Sequence, residues 1–300
     1  MRGGAQGDLM RCSDHGFYVV KFRNNPQHRR VPANEWFATR LGERTGLPVP
    51  GTEVVEVSEW LINHTSELNI QLAHDVIQCQ PGSQFGSRYV VNPQEEQVFD
   101  YLPMEMLDRV RNLETFAGML VVDKWTGNAD GRQAALWRKS REREYTAAFI
   151  DHGCGFNAGE WTFPDDPLRG VYARNEVYGG VRGWGSFEPW LSRIEQMQEQ
   201  LVWGLAQEIP PERYGGGWNA REELVSNLIL RRRIVRDLIE AFRDSVRKPF
   251  PKWHDQSGDA NCFSRLETAR WRSGRVSPLP IRSAFFLPRH SRTVGSHQRA

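Results

Sequence analysis

Long apolar runs are missing from this 300-residue chain. None approaches the ~18–20 residues that cross a bilayer as a helix, so no membrane span is expected. Met1–Asp14 also lacks an apolar centre; it is polar and glycine-rich, unlike a secretory leader, and the expected setting is the cytoplasm. Cysteine is scarce. Cys12, Cys79, Cys154 and Cys262 are scattered with no two at metal-ligand spacing. That argues against a structural zinc site and suits a reducing compartment. Internal repeats are absent as well.

Net charge is small, +2, but unevenly spread. Residues 248–300 hold ten Lys/Arg against three Asp/Glu, a net of +7, which leaves −5 for the rest. A mildly acidic body argues against nucleic-acid binding, which is left to the basic tail alone. The tail is low in apolar periodicity and is expected to be solvated and disordered. What remains is an ordinary globular composition, 39% hydrophobic and 25% charged, enough for one large domain or a two-lobed one.

The N-terminal part reads as strand-rich. Phe17–Phe22 is aromatic and β-branched, and Thr52–Val57 also reads as a strand. A further strand is expected near His74–Gln80. Between the first two lies a helix with Pro32 in its first turn, ended by Gly46 and Pro48. Arg2–Gly7 before the first strand is either a phosphate-covering loop or a frayed terminus. Gln80–Ser87 is rich in breakers and is expected to be a hinge.

The remainder reads as helix-rich. Leu113, Phe116, Ala117, Leu120, Val121 and Lys124 recur at helical spacing, with Asn112 as the expected cap. Two short strands, about 134–138 and 145–150, follow across the charged turn Arg138–Glu144. Residues 153–185 are expected to be irregular, as in a substrate-binding or lid segment. Helical patterns cover Ser186–Glu208 and Asn219–Val246, the second with Asn219 as cap.

Two short segments carry the chemistry. Gly127-Asn128-Ala129-Asp130 follows the apolar helix, and Asp151-His152-Gly153 ends the strand Tyr145–Ile150. The two carboxylates thus stand at element ends, 21 positions apart. Phosphoryl transfer uses such a pair, one Asp to orient the attacking hydroxyl and another to hold the metal that bridges nucleotide phosphates. Taken singly each residue has a plainer reading. Asp130 after Gly-Asn can be a turn former. Lys21 either faces solvent from a one-sided sheet or projects into a cleft, and Glu35 is either a surface charge or the partner of Lys21. Cys154 and His152 are expected to be structural, not chemical.

These residues in this order resemble the HipA-like kinases, the bacterial branch of the protein-kinase-like fold that includes the HipA toxins. The likeness rests on Arg2–Gly7, Tyr18–Phe22, Asn34-Glu35, Gly127–Asp130 and Phe149–Gly153, and covers roughly residues 2–250. It implies an α+β, two-lobed protein-kinase-like fold: a small β-rich N-lobe at 1–82, a helical C-lobe at 83–250 and a basic tail at 251–300. It implies ATP and magnesium as cofactors and a hydroxyl-bearing acceptor, protein or small molecule, as the partner. Carried over by position, Lys21 would grip the ATP phosphates and pair with Glu35, and Asp130 would be the catalytic base. Asp151 would be a metal ligand, Gly3, Gly4 and Gln6 would cover the phosphates, and the stretch around Gln80 would meet the adenine.

The match has departures. Kinases of this fold place an Asn five residues after the catalytic Asp, where this chain has Ala135; the expectation is either that Gln133 stands in as the second metal contact or that one metal contact is missing. A histidine common after that Asp is replaced by Gly131-Arg132, and Arg132 is expected to contact phosphate. HipA toxins usually carry an extra N-terminal domain, which is not expected here. These departures weaken a toxin more than a kinase, and a nucleotide-binding pseudokinase with a regulatory role is the alternative.

Overall fold

A hairpin of Asp8–Arg11 (β1) and Phe17–Lys21 (β2) opens the structure. The sequence does not announce β1, because its side chains alternate only between half-buried and exposed. β2 alternates fully. Tyr18, Val20 and Phe22 enter a small core, while Val19 and Lys21 face the other way into a cleft. The computed structural model describes residues 6–24, 28–72, 74–210, 213 and 217–254. Gly3, Gly4 and the basic tail from 255 onward lie outside the described residues.

Val31–Arg44 (α1) follows, with Pro32 in its first turn as predicted. Thr52–Val57 (β3) has the predicted bounds. Glu59–His64 (α2) is capped by Ser58, whose Oγ accepts the Leu61 N–H. Asn69–Gln71 (β4) and Val76–Gln78 (β5) pair as a separate hairpin.

Gly82–Arg88 (β6) corrects the sequence reading. The stretch expected to be a hinge is a strand lying between β2 and β3, in the antiparallel order β1-β2-β6-β3. Its composition misleads because packing demands it. A Cβ on Gly86 would come within 2.5 Å of the Val55 side chain. Gln84 is fully buried yet satisfied: its Oε1 accepts the Arg23 N–H at 2.8 Å and its Nε2 donates to Gln80 O at 2.8 Å. A lobe boundary at 82 therefore falls at the start of a strand of the first sheet.

Beyond it, Glu96–Phe99 (β7), Gln133–Lys139 (β8) and Thr146–Ile150 (β9) form a second antiparallel sheet in that order. Thr115–Thr126 (α3) is buried along its whole length, the expected state of a helix apolar on all sides. Asn112 does not cap it. Its carboxamide accepts the Ala147 N–H at 2.8 Å and donates to Ala147 O at 2.9 Å, tying the approach to α3 onto β9.

The two long helical patterns are each divided. Ser186–Glu208 becomes Trp190–Glu195 (α4) and Glu199–Gln207 (α5). Asn219–Val246 becomes Gly217–Arg231 (α6) and Val235–Asp244 (α7), joined by a 3₁₀ turn at Arg232–Ile234. Asn219 lies inside α6 and is no cap. Packing also runs past the expected boundary at 250: Trp253 stacks on Phe250, and the His254 N–H donates to Arg182 O.

The fold has a β-sheet N-terminal region and a helical remainder, as the kinase-like resemblance implied. Tyr18, Val20, Phe22, Val57, Ile62 and Ile70 make the small core, and α3 lies at the centre of the large one. α1 serves both parts. Phe37 and Leu41 enter the large core, and Trp36 sets its edge against Phe85 of β6 at 6.4 Å. No helix among the described residues is long and apolar enough to cross a membrane.

Candidate active site

The β8–β9 hairpin positions the two carboxylates. Gln133 pairs with Ile150 at its open end, so the Asp130 loop enters and Asp151 leaves side by side. Gly127 closes α3 in the left-handed conformation, φ +61°, with its N–H on Asp123 O. Glycine accepts that conformation without a Cβ clash and turns the chain sharply into Asn128–Asp130. The Ala129 N–H then donates to Cys154 O at 2.9 Å, locking the Asp130 loop to the segment after Asp151. Burial first, then the charges of Asp130 and Asp151, push the Cys154 thiol up to about 11. The thiol stays protonated beside both carboxylates, in keeping with a structural role.

Lys21 is buried and bound on two sides. Its Nζ pairs with Glu35 Oε1 and lies 2.8 Å from Asp151 Oδ1. Of the two readings open to it, the cleft is the one the fold adopts. Burial disfavours the ammonium, but the two carboxylates outweigh it and raise the Lys21 pKa. Burial likewise acts against the Asp151 carboxylate, and the Lys21 charge and hydrogen bond reverse this, bringing it to about 2. Burial raises Glu35, with Lys21 opposing. Gln133 completes the group by donating Nε2 to Asp151 Oδ2 at 2.9 Å.

Asp151 itself sits at φ +60°, a strained conformation for a residue with a side chain. Arg132 holds it there. Its Nη1 donates to Ile150 O at 2.8 Å and to Asp151 O at 3.3 Å, and its Nε donates to the buried Asp123 Oδ2 at 2.9 Å. Arg132 is thus buried and occupied by protein groups, which corrects the expectation that it contacts phosphate. Asn128 adds a third donor to Asp123. Nothing in the sequence marked Asp123, which lies inside an apolar helical pattern.

The segment after Asp151 is fixed from α1. Asn34 Nδ2 donates to Gly153 O at 2.9 Å and Ala158 O at 2.7 Å, while its Oδ1 accepts the Trp161 indole N–H. Phe156, Asn157 and Ala158 all have φ near +57°, and the first two return their N–H groups to Thr126 O and Gly127 O. Asn34 was visible in the sequence only as a neighbour of Glu35. The His152 ring is buried; burial and the Arg132 charge hold its pKa well below 6.5.

These groups close one end of a cleft of 530 Å³. Leu9, Val19, Val98, Ala135 and Ile150 line it, together with Arg88–Val90. Gln6 also lines it, but its carboxamide is spent on both backbone groups of Gln71. Gln80 does not line it. Its Oε1 accepts Arg23 Nε and it lines a separate cleft, whereas Arg88–Val90 line this one. Asp130 is exposed on its loop, outside the cleft lining.

Residues 2–161 match the family model of the HipA-like kinases. Among solved structures, the chain is similar to the proinflammatory kinase CtkA of Helicobacter pylori, with a TM-score of 0.50 and 15% identity over 81% of this chain and 94% of that one. Weaker likenesses are to a Golgi casein kinase with Mn/ADP bound (0.45; 12%; 80% and 72%) and to HipA of Shewanella oneidensis MR-1 in complex with HipB and operator DNA (0.46; 12%; 76% and 60%). No curated protein matches.

Proposed function

The chain belongs to the HipA-like kinase family, and on that premise we propose that it transfers the γ-phosphoryl group of ATP to a hydroxyl acceptor, on a protein or a small molecule, with magnesium. One observation carries the reading: Lys21, Glu35, Asp151 and Gln133 converge in a cleft that Leu9, Val19, Pro50, Val90, Val98, Ala135 and Ile150 also line. An adenine ring suits the slot between Leu9, Val19 and Ile150, with its phosphates directed toward Lys21.

No cluster of three or more His, Cys, Asp or Glu that could hold a metal occurs among the described residues. Magnesium fits this site nonetheless, because it is commonly held by one or two carboxylates together with substrate phosphates. Asp151, ionised far below neutrality, and the carboxamide oxygen of Gln133 are the residues that would hold it. When bound, it offsets phosphate charge. Ala135 presents only a methyl group to the cleft, which leaves Gln133 as the neutral oxygen donor.

Lys21 neutralises phosphate oxygens, and Glu35 keeps its ammonium aimed at them. Asp130, on a loop fixed through Ala129 and Asn128, orients the acceptor hydroxyl and takes its proton. The acceptor oxygen bonds to the γ-phosphorus as the bond to the β,γ-bridging oxygen breaks, and ADP leaves. The reading includes a cytoplasmic setting, consistent with free thiols at Cys12, Cys79 and Cys154.

The test is intact-mass spectrometry after incubation with Mg-ATP, beside Asp130→Asn, with calorimetry of nucleotide binding on both. Phosphate added by the wild type alone is expected, with similar nucleotide affinity in the two. A wild type that binds no ATP would overturn the reading.

A further inference from the structure

A second cleft, of 560 Å³, shares only Lys21 with the first. It lies along the end of β2, the loop leading to α1 and the β6 strand. Four of its lining side chains are cationic and none is a carboxylate; the Lys21 charge is met by Glu35 and Asp151, so the cleft's own cations are Arg23, Arg29 and Arg213. Among the described residues neither Arg23 nor Arg29 is in an ion pair. Glu56 accepts Ser83 Oγ at 2.7 Å, and its other oxygen and Arg23 Nη1 each lie 3.9 Å from where a Cβ on Gly82 would stand.

The walls are built, not loose. Arg23 Nε is held by Gln80 Oε1 at 3.1 Å. Asn24 Nδ2 donates to Gln78 O at 3.0 Å, and Arg213 Nη2 donates to Ser83 O at 3.1 Å. Three arginines line one cleft with no carboxylate among its lining residues, and guanidinium forks match phosphoryl oxygens two at a time. The volume exceeds what a single orthophosphate needs and falls in the range of small-molecule sites.

We propose that this cleft is a second anion site, separate from the nucleotide cleft, taking a small molecule with two or more phosphoryl groups. It needs no catalysis and stands apart from the kinase reading. Arg23 and Arg29 are exposed, so replacing them leaves the two cores intact.

The test titrates inorganic pyrophosphate, without divalent metal and at fixed ionic strength, into the full chain by calorimetry. Three proteins are compared: wild type, Arg23→Gln/Arg29→Gln, and a charge-matched control, Arg11→Gln/Arg143→Gln, at exposed arginines elsewhere. Pyrophosphate is expected to bind the wild type and the control alike, and about tenfold or more weakly to Arg23→Gln/Arg29→Gln. ATP affinity with magnesium, and melting temperature, are expected to match in all three. Equal pyrophosphate binding by the two double variants would overturn the proposal, as would no binding to the wild type.

Discussion

The backbone N–H of His152 donates to Glu35 Oε2 at 2.9 Å, while the other oxygen of that carboxylate receives the Lys21 ammonium. One buried side chain on α1 thereby sets both the strand that carries Lys21 and the segment that carries Asp151. Close packing reinforces the relation. A Cβ on Gly153 would lie 2.8 Å from Val31 Cγ1 and 3.1 Å from Glu35 Oε1, so α1 meets that segment with no room between them. Any displacement of α1 moves the ammonium and the carboxylate apart together.

Glu35→Gln tests that coupling. The carboxamide oxygen still accepts the His152 N–H, but the charge that pairs with Lys21 is gone. A misaimed ammonium is expected to lower kcat for phosphoryl transfer roughly 10–100-fold, with a smaller change in nucleotide affinity. Steady-state kinetics beside calorimetry checks this; an unchanged kcat would remove Glu35 from the machinery.

His152 predicts a pH dependence. Its folded pKa lies well below 6.5, so the unfolded chain takes up a proton below that pH while the folded chain does not. Stability is full above 6.5 and declines as pH falls, by up to about 1.4 kcal/mol per pH unit for this one proton. Asp151 acts in a lower window. With a folded pKa of about 2 against 3.8, its contribution is intact above 3.8 and is lost only as pH falls through about 2. Thermal melts near pH 7.5 and 5.5 are therefore expected to differ in the wild type, and the difference to shrink in His152→Phe. An equal slope in both proteins would place the titrating group elsewhere.

The Arg132–Asp123 pair is expected to behave as a buried unit. Removing one partner leaves a charge uncompensated, and Arg132→Met is expected to destabilise the fold by about 3–5 kcal/mol. Replacing both, in Asp123→Leu/Arg132→Met, is expected to cost less than the two single changes added together. Denaturant unfolding of the three variants gives the coupling directly. Simple additivity would mean that the pair is not a unit.

Much of this was readable from residue order. The β-branched and aromatic content of Phe17–Lys21, the valines of Thr52–Val57, the helical spacing of Leu113–Lys124 and the punctuation around Gly127 each act through local chain physics. So did the candidates themselves, because a carboxylate at the end of an apolar strand is costly unless it is paired or used. Where reading failed, long-range contacts had replaced local preference. Gly82–Arg88 carries breakers yet is a strand because neighbours on both sides complete its hydrogen bonds, and Asn112 and Asn219 have the chemistry of caps without the position.

Sequence alone thus determined the candidate side chains and most of the elements that carry them, since periodicity and turn residues act over a few positions. Only the tertiary structure decided that Lys21 faces the cleft, that Glu35 and Asp151 both reach it, that Arg132 is bound to Asp123 and not open to phosphate, and that Gln80 belongs to a different cleft. Those outcomes depend on pairings across as many as 130 positions, between Lys21 and Asp151, which the folded sheet and α1 bring together and no local pattern encodes.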